Sequence, residues 1–519
     1  MLGVMKIGIL YPAPLEAALS SAAYHMLLGY LSREARVPVY TYFIDWDGHL
    51  RAGSPGAPSP RSLDAVLVSV FYELGLPRIV SALAESGLDP RGPRREGPIV
   101  ITGGPLATAN PIPVLGFSDA ILPGEAEPVL DGIVASLERP SRQARLEALA
   151  EEGLLVPGVS DVPVDKVYVE DLDSSWYPTS IEIPRGVEPV WGRSYPLETS
   201  RGCSRGCRFC MEGYIFRPPR HRSYKRLKDL LEEGLASSGL GKVSFYSLSF
   251  FDNPSAEAIL AYAVEELGLE VSVPSLRVDT LTRRRLELIA RGGQRSIAIA
   301  PETGSCRIGR LLNKLISPER VVDIVAEAVG AGIRSVKLYI ITPTHYETEE
   351  DFEATVNLIV EAAREARSRG GRLRVSANPL IPKPSTPLQW LGFVDIELAR
   401  RRMKALKRLS SVGVRVDYYD PKMARVQAAV GRGGWGVDRL VVEWGLEGGG
   451  LGGLRRAARK LGVRLERLWG PLPQDEDPPW HDLVRLPGAS PSVLRREYEA
   501  FLDSLASLTA TGTCTPAGT

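Results

Sequence analysis

The sequence predicts an α/β protein. A doubly wound parallel-sheet domain of Rossmann or flavodoxin type comes first, then a partial (β/α)6 TIM-like barrel, then a small C-terminal α/β or α+β extension. Three observations predict this. Short apolar runs alternate with helix-period patterns over residues 1–150; a proline-rich, weakly periodic stretch at 151–194 interrupts them; and the alternation resumes as six βα units over 195–412.

In the first domain, Lys6 to Tyr11 reads as a buried strand, Leu15 to Arg33 as a helix and Val37 to Ile44 as a second strand. Ala65 to Val70, Ile99 to Thr102 and Ala120 to Leu122 complete a parallel set. Gly103-Gly104-Pro105 and Gly124-Glu125 follow strands, at the carboxyl edge where such sheets bind ligands. Residues 151–194 read as a linker. Beyond it, strands are expected at Tyr195 to Ser200, Lys242 to Phe250, Glu270 to Val278, Arg295 to Ala300, Arg334 to Ile341 and Leu373 to Pro379. Helical patterns such as Tyr224 to Gly239 and Thr348 to Ser368 lie between them. With six such units and no seventh or eighth, reactive groups belong at the carboxyl ends of the strands. The extension, 413–508, is broken by glycine runs and closes on a helix from Ser492 to Leu508, before a tail (509–519) expected to be disordered.

Composition narrows the function. At 519 residues the chain has room for several cores, and a formal charge of +1 gives no global pull toward nucleic acid or a membrane surface. No run of 18 apolar residues occurs, and Met1 to Pro12 is too short and too lightly charged for a secretory signal. Of 63 basic residues 12 are lysine, the bias of a GC-rich microbial genome. Five cysteines, three of them clustered, fit a reducing cytoplasm better than a disulfide scaffold.

Those three form Cys203-Ser-Arg-Gly-Cys207-Arg-Phe-Cys210, a C-x3-C-x2-C loop just after a predicted strand. Three thiolates on one tight loop can hold three corners of a 4Fe–4S cube and leave one iron open, the arrangement of a site used for chemistry. A zinc knuckle and a structural thiol cluster are the rival readings. Zinc needs a fourth ligand, for which His221 and Cys306 are available, but the paired C-x2-C spacing of common zinc folds is absent.

The stretch Glu198-Thr-Ser-Arg-Gly-Cys203-x3-Cys207-Arg-Phe209-Cys210 resembles the cluster loop of the radical S-adenosylmethionine (radical SAM) enzymes. The resemblance implies that Cys203, Cys207 and Cys210 bind the cluster and that its free iron chelates S-adenosylmethionine. One electron then yields a 5′-deoxyadenosyl radical, supplied through a reducing protein such as a ferredoxin or flavodoxin. It also implies a cofactor-binding set. Phe209 lies near the adenine, Asp252 and Asn253 meet the methionine ammonium, Arg277 grips the carboxylate with its two-pronged guanidinium, and Glu302 accepts the ribose hydroxyls. Each has an ordinary alternative: aromatic packing for Phe209, a helix cap for Asp252 and Asn253, an ion pair with Asp279 or Glu302 for Arg277. Glu302-x-Gly-Ser-x8-Lys314 resembles the family's fourth-strand region, and Pro382-Lys-Pro-Ser-Thr-Pro-Leu-Gln-Trp390 a motif of its cobalamin-type subgroup. Lys337 sits within a strand with function and structure evenly weighed, and His345 lies on a loop after the fifth strand.

Thr102-Gly-Gly-Pro-Leu-Ala-Thr-Ala-Asn-Pro111 and Asp119-Ala-Ile-Leu-Pro-Gly-Glu-Ala-Glu127 resemble the cobalamin-binding-type domain that precedes many radical SAM cores. The D-x-H-x2-G loop of that domain is missing, and His25 falls within the first predicted helix. Any cobalamin is therefore expected without a protein histidine on cobalt, with the two glycine loops close against it. The expected activity is hydrogen abstraction or group transfer on an unidentified substrate. RNA modification and a non-enzymatic iron–sulfur carrier or sensor are the alternatives, and nucleic acid has no support in the charge balance. The methylthiotransferase branch needs a second cluster, and no cysteine precedes Cys203.

Overall fold

A computed structural model describes residues 5–54, 56–92 and 95–511 of the chain. It divides into two compact units, residues 1–193 with 429–491 and residues 194–428 with 492–519.

The first unit holds a six-stranded sheet: β1 (Ile7–Tyr11), β2 (Val39–Ile44), β3 (Leu50–Ala52), β4 (Ala65–Ser69), β5 (Ile99–Gly103) and β6 (Ala120–Leu122), in the order β3-β2-β1-β4-β5-β6. Every pair is parallel except β2–β3. Without that antiparallel edge, the five parallel strands follow the flavodoxin-like order 2-1-3-4-5, whose ligand crevice opens where β1 meets β4. The edge strand was not expected from the sequence; Asp47-Gly48 just before it is its turn signal. β1 is buried along its whole length, as a central parallel strand must be. The expected helix from Leu15 to Arg33 is interrupted. Leu15–Ala18 ends, and Ser21 caps a new helix, Ala22–Gly29, by accepting a hydrogen bond from the Tyr24 amide.

Residues 151–193, read as a linker, belong to this unit: Leu155 bridges Ile121 and Val167 bridges Gly124 at the sheet edge. The expected extension at 413–508 is shared between the two units. Its middle joins the first, where the helix Val437–Leu446 packs so closely on Leu76–Glu85 that a Cβ on Gly445 would lie 2.4 Å from Val80.

The second unit is the barrel. Its strands are β7 (Tyr195–Glu198), β8 (Lys242–Tyr246), β9 (Glu270–Ser272), β10 (Ser296–Glu302), β11 (Ser335–Ile341), β12 (Arg372–Asn378) and β13 (Arg415–Tyr418). They form two all-parallel sheets, β9-β8-β7 and β10-β11-β12-β13, joined by a parallel bridge from Leu276 to Ile299. The partial barrel thus carries a seventh strand beyond the six expected. β13 is short, charged and half exposed, so no buried apolar run announces it. Strand burial alternates: Val336, Leu338 and Ile340 of β11 are fully covered while Lys337 and Tyr339 are not. The covered row lies under the crossover helices and the other faces the concave side. The final helix, Pro491–Thr511, extends to residue 511 rather than stopping at 508, and the rest of the expected tail lies outside the described residues. That helix sets Tyr498 against Trp390 at a tilt and Phe501 beside Tyr346, pinning the loops after β12 and β11.

Candidate functional site

The cysteine loop follows β7 at the carboxyl rim. Gly202 (φ +82°) turns the chain into it, where a Cβ would come within 2.5 Å of the Phe216 carbonyl, and Gly206 (φ +68°) turns it again between the first two cysteines. Distant backbone groups hold the loop in place. The Asn313 amide donates to the Gly206 carbonyl (2.9 Å), and Arg208 donates from its backbone to Leu312 (3.0 Å) and from its guanidinium to Leu311 (3.1 Å).

Cys203, Cys207 and Cys210 are all free thiols. Burial pushes the Cys210 thiol up to about 12 and raises Cys203 as well, the neighbouring cysteines adding to both. Coordination by metal would reverse this, since a bound thiol is deprotonated outright. The Gly213 amide donates to Cys210 Sγ (3.4 Å) and Arg277 Nη1 to Cys207 Sγ (3.7 Å), so donors suited to sulfur that carries negative charge are in place. Among the described residues no three His, Cys, Asp or Glu side chains converge as ligands of one metal ion.

Four of the expected cofactor contacts stand around this loop. Arg205, from the loop itself, donates through Nε to Asp252 (2.9 Å) and through Nη1 to Asp279 (3.3 Å). Arg277 forks onto Asp279 with two bonds of 3.0 Å. The chain Asp252–Arg205–Asp279–Arg277–Cys207 is therefore continuous. Burial raises the Asp252 carboxyl, but hydrogen bonds from Arg205 and Ser249 outweigh it and hold the group below the usual carboxylate range. Glu302, at the end of β10, takes a left-handed backbone (φ +68°) and pairs with Lys314 at 2.7 Å, both side chains nearly covered. The Lys314 ammonium lies 6.0 Å from the Phe209 ring centroid, at the limit of a cation–π contact.

Asn253 does not present its amide as expected. It is 2% exposed, donates to the Thr199 (2.7 Å) and Arg222 (3.3 Å) carbonyls, and accepts from the Ser255 amide (2.8 Å). These bonds fix the turn that carries Asp252, closer to the capping alternative than to a ligand contact. The Pro382–Trp390 motif is likewise internal: Ser385, Thr386, Gln389 and Trp390 are all fully buried.

Sequence alone assigned no individual role to Arg205 and held Lys314 only as part of a motif. It missed Glu347, whose carboxylate is pushed up to about 7 by burial despite bonds from Thr342 and Thr344 and the Arg402 charge 3.2 Å away. Its only signal was its place after the fifth core strand.

In the first unit, both glycine loops are filled by the chain itself. A Cβ on Gly104 would meet the Val70 carbonyl at 2.6 Å, and one on Gly124 the Val167 carbonyl at 1.9 Å. The close approach that glycine permits there is thus made by the protein's own backbone. His25 is buried, its Nε2 3.0 Å from the Leu19 carbonyl, and burial lowers its pKa. It is packed, one of the two placements, packed or half exposed, expected for a histidine in that helix.

Comparison with known proteins adds the following. Residues 197–359 match the family described as the Radical SAM superfamily, and residues 57–157 match the family described as Radical SAM proteins, N-terminal. An uncharacterised protein of Methanocaldococcus jannaschii is 28% identical over 432 residues, 83% of this chain and 89% of its own length. An uncharacterised methyltransferase of Pyrococcus horikoshii is 25% identical over 276 residues, 50% of this chain and 57% of its own. Among solved structures, the cobalamin-dependent S-adenosylmethionine radical enzyme OxsB with aqua-cobalamin bound aligns over 99% of this chain and 82% of its own. The TM-score is 0.50 and the identity 14%, a likeness of fold. Among the described residues no helix is long and apolar enough to cross a membrane.

Proposed function

Because this chain belongs to the radical SAM superfamily, an enzyme family that implies a 4Fe–4S cluster and S-adenosylmethionine, we propose that Cys203, Cys207 and Cys210 are the cluster ligands and that the rim around them binds S-adenosylmethionine. When bound, the cluster supplies the electron that cleaves S-adenosylmethionine to a 5′-deoxyadenosyl radical, which acts on a substrate still to be identified. The protein's own part is positional and electrostatic. Asp252 offers an ionised carboxylate to the methionine ammonium, and Asn253 holds the turn that presents it. Arg277 serves the carboxylate while its Nη1 faces Cys207. Glu302 accepts from the ribose, and Phe209 covers the adenine. Asp252 is occupied by Arg205 in this structure, so binding exchanges one cation for another at the same carboxylate, at little cost in unpaired charge.

The observation that carries this reading is the set of three free thiols on one rim loop, met by the Arg277 guanidinium. Protein purified and reconstituted without oxygen, then reduced with dithionite, should convert S-adenosylmethionine to 5′-deoxyadenosine and methionine. Loaded, reduced protein that leaves S-adenosylmethionine intact would refute it.

For the N-terminal unit we propose cobalamin held without a protein imidazole. Support comes from the crevice between β1 and β4, where Phe71 (42% exposed) and Tyr72 (38% exposed) follow β4 and Phe71 lies 5.5 Å from the ring of Tyr11. Such an aromatic edge suits a flat macrocycle. Protein mixed with hydroxocobalamin and reduced should show no nitrogen hyperfine coupling from protein in its paramagnetic resonance spectrum. A coupling abolished by His25→Ala would overturn this.

A further inference from the structure

On the concave face of the barrel, the inward rows of β10 to β13 bring together an excess of positive charge that the reading above does not use. Strand register sets Lys337 directly beside Arg374 on one side and Ala298 on the other, with Tyr339 beside Ser376 one layer higher. Like charges directly opposite on neighbouring strands are unfavourable and need a compensating anion. Arg374 has one in Asp417, 3.0 Å away, but shares it with Arg415, which approaches the same carboxylate at 3.2 Å. Arg374 Nε is moreover buried with no hydrogen-bond acceptor. Lys337 has no carboxylate within ion-pair distance among the described residues. Its ammonium lies over the Tyr339 ring, 4.6 Å from the centroid, and reaches the Tyr339 hydroxyl at 3.4 Å. Three cations thus have one carboxylate between them, Arg415 from the exposed edge strand and Lys337 and Arg374 from a half-covered row where small neighbours, Ala298 and Ser376, leave room.

We infer that Lys337, with Arg374 and the Tyr339 hydroxyl, binds an anionic group of the substrate, a carboxylate or a phosphate. This rests on the proposed function only in taking the concave face as the place where substrate lies. Because Lys337 and Tyr339 lie four and two residues short of the end of β11, the anion would sit about 7–13 Å below the carboxyl rim. The substrate would therefore be anchored by its charged end with its reacting carbon held up toward the cluster loop. A half-exposed lysine that merely rests its stem on a tyrosine is the ordinary alternative.

Inorganic phosphate and acetate serve as probes, titrated into the full-length protein at constant ionic strength and followed by 31P and 13C line broadening. At least one probe should bind saturably. Lys337→Met should weaken that binding at least tenfold, Lys337→Arg should largely keep it, and Tyr339→Phe should cost a smaller factor. Lys225→Met, on an exposed helix, should change nothing. Preference for phosphate or for acetate identifies which anion the substrate bears. Absence of saturable binding to either probe, or Lys337→Met binding like the parent, overturns the inference. Tyr339→Phe keeps the test open should Lys337→Met fail to fold, because parent-like binding in that variant together with Arg374→Met also overturns it. Iron content of the same samples reads the cluster loop separately. Anion binding without iron would leave this inference standing while the proposed function fell, and iron without anion binding would do the reverse.

Discussion

Lys314→Met is expected to destabilise the barrel unit by about 3–5 kcal/mol, the usual cost of removing one partner from a buried ion pair. Lys314 is the residue that makes Glu302 tenable. The Glu302 carboxylate is nearly covered, sits on a left-handed backbone that a non-glycine residue rarely adopts, and has its ammonium partner at 2.7 Å. Without that ammonium the buried carboxylate is left unpaired and must move or draw in water, and either response displaces it from the rim beside Phe209. Two consequences are measurable. Urea unfolding followed by intrinsic fluorescence should shift to lower denaturant, and S-adenosylmethionine affinity by calorimetry should fall at least tenfold in samples that keep their iron. The double variant Glu302→Gln with Lys314→Met should recover much of the stability, because a neutral amide removes the stranded charge, and little of the affinity. Lys314→Arg should keep most of both. A Lys314→Met protein within about 0.5 kcal/mol of the parent, the range of an ordinary surface change, would show that the pair does not hold the rim.

The parts of this site that were legible in the sequence are those whose geometry is local. Three cysteines within eight residues must share one loop whatever surrounds them, and the strands expected at Arg334 to Ile341 and Leu373 to Pro379 stand in the fold as β11 and β12. What escaped depends on partners far along the chain. Asn253 looked like an acceptor for the ammonium because its residue type allows it; only the fold shows that its oxygen already accepts from the Ser255 amide while its amide hydrogens go to Thr199 and Arg222 on other segments. Gly104 and Gly124 signalled close approach correctly, yet the approaching group is the chain's own Val70 and Val167 rather than a cofactor. β13 was missed because a four-residue, charged strand at the end of a sheet has no apolar period to detect. The antiparallel β3 was missed for the same reason, although its preceding Asp-Gly is a known turn signal. Lys337 could be placed on a strand from sequence, but that its neighbour is a second cation follows from register alone.

The assignment of the three thiols to an iron–sulfur cluster is the premise on which the S-adenosylmethionine site depends. Its most direct test is iron and sulfide content after anaerobic reconstitution, in the parent and in Cys203→Ala, Cys207→Ala and Cys210→Ala. The three thiols share one rim loop held by Gly202, Gly206 and the side-chain bonds from Asn313 and Arg208 to backbone carbonyls, so no remaining pair keeps the geometry of three corners. The parent should hold about four irons and four sulfides per chain, with a visible charge-transfer band. Each single variant should lose most of its iron and the band. Full iron in Cys207→Ala, or a parent that takes up one zinc in preference to iron, would contradict the account.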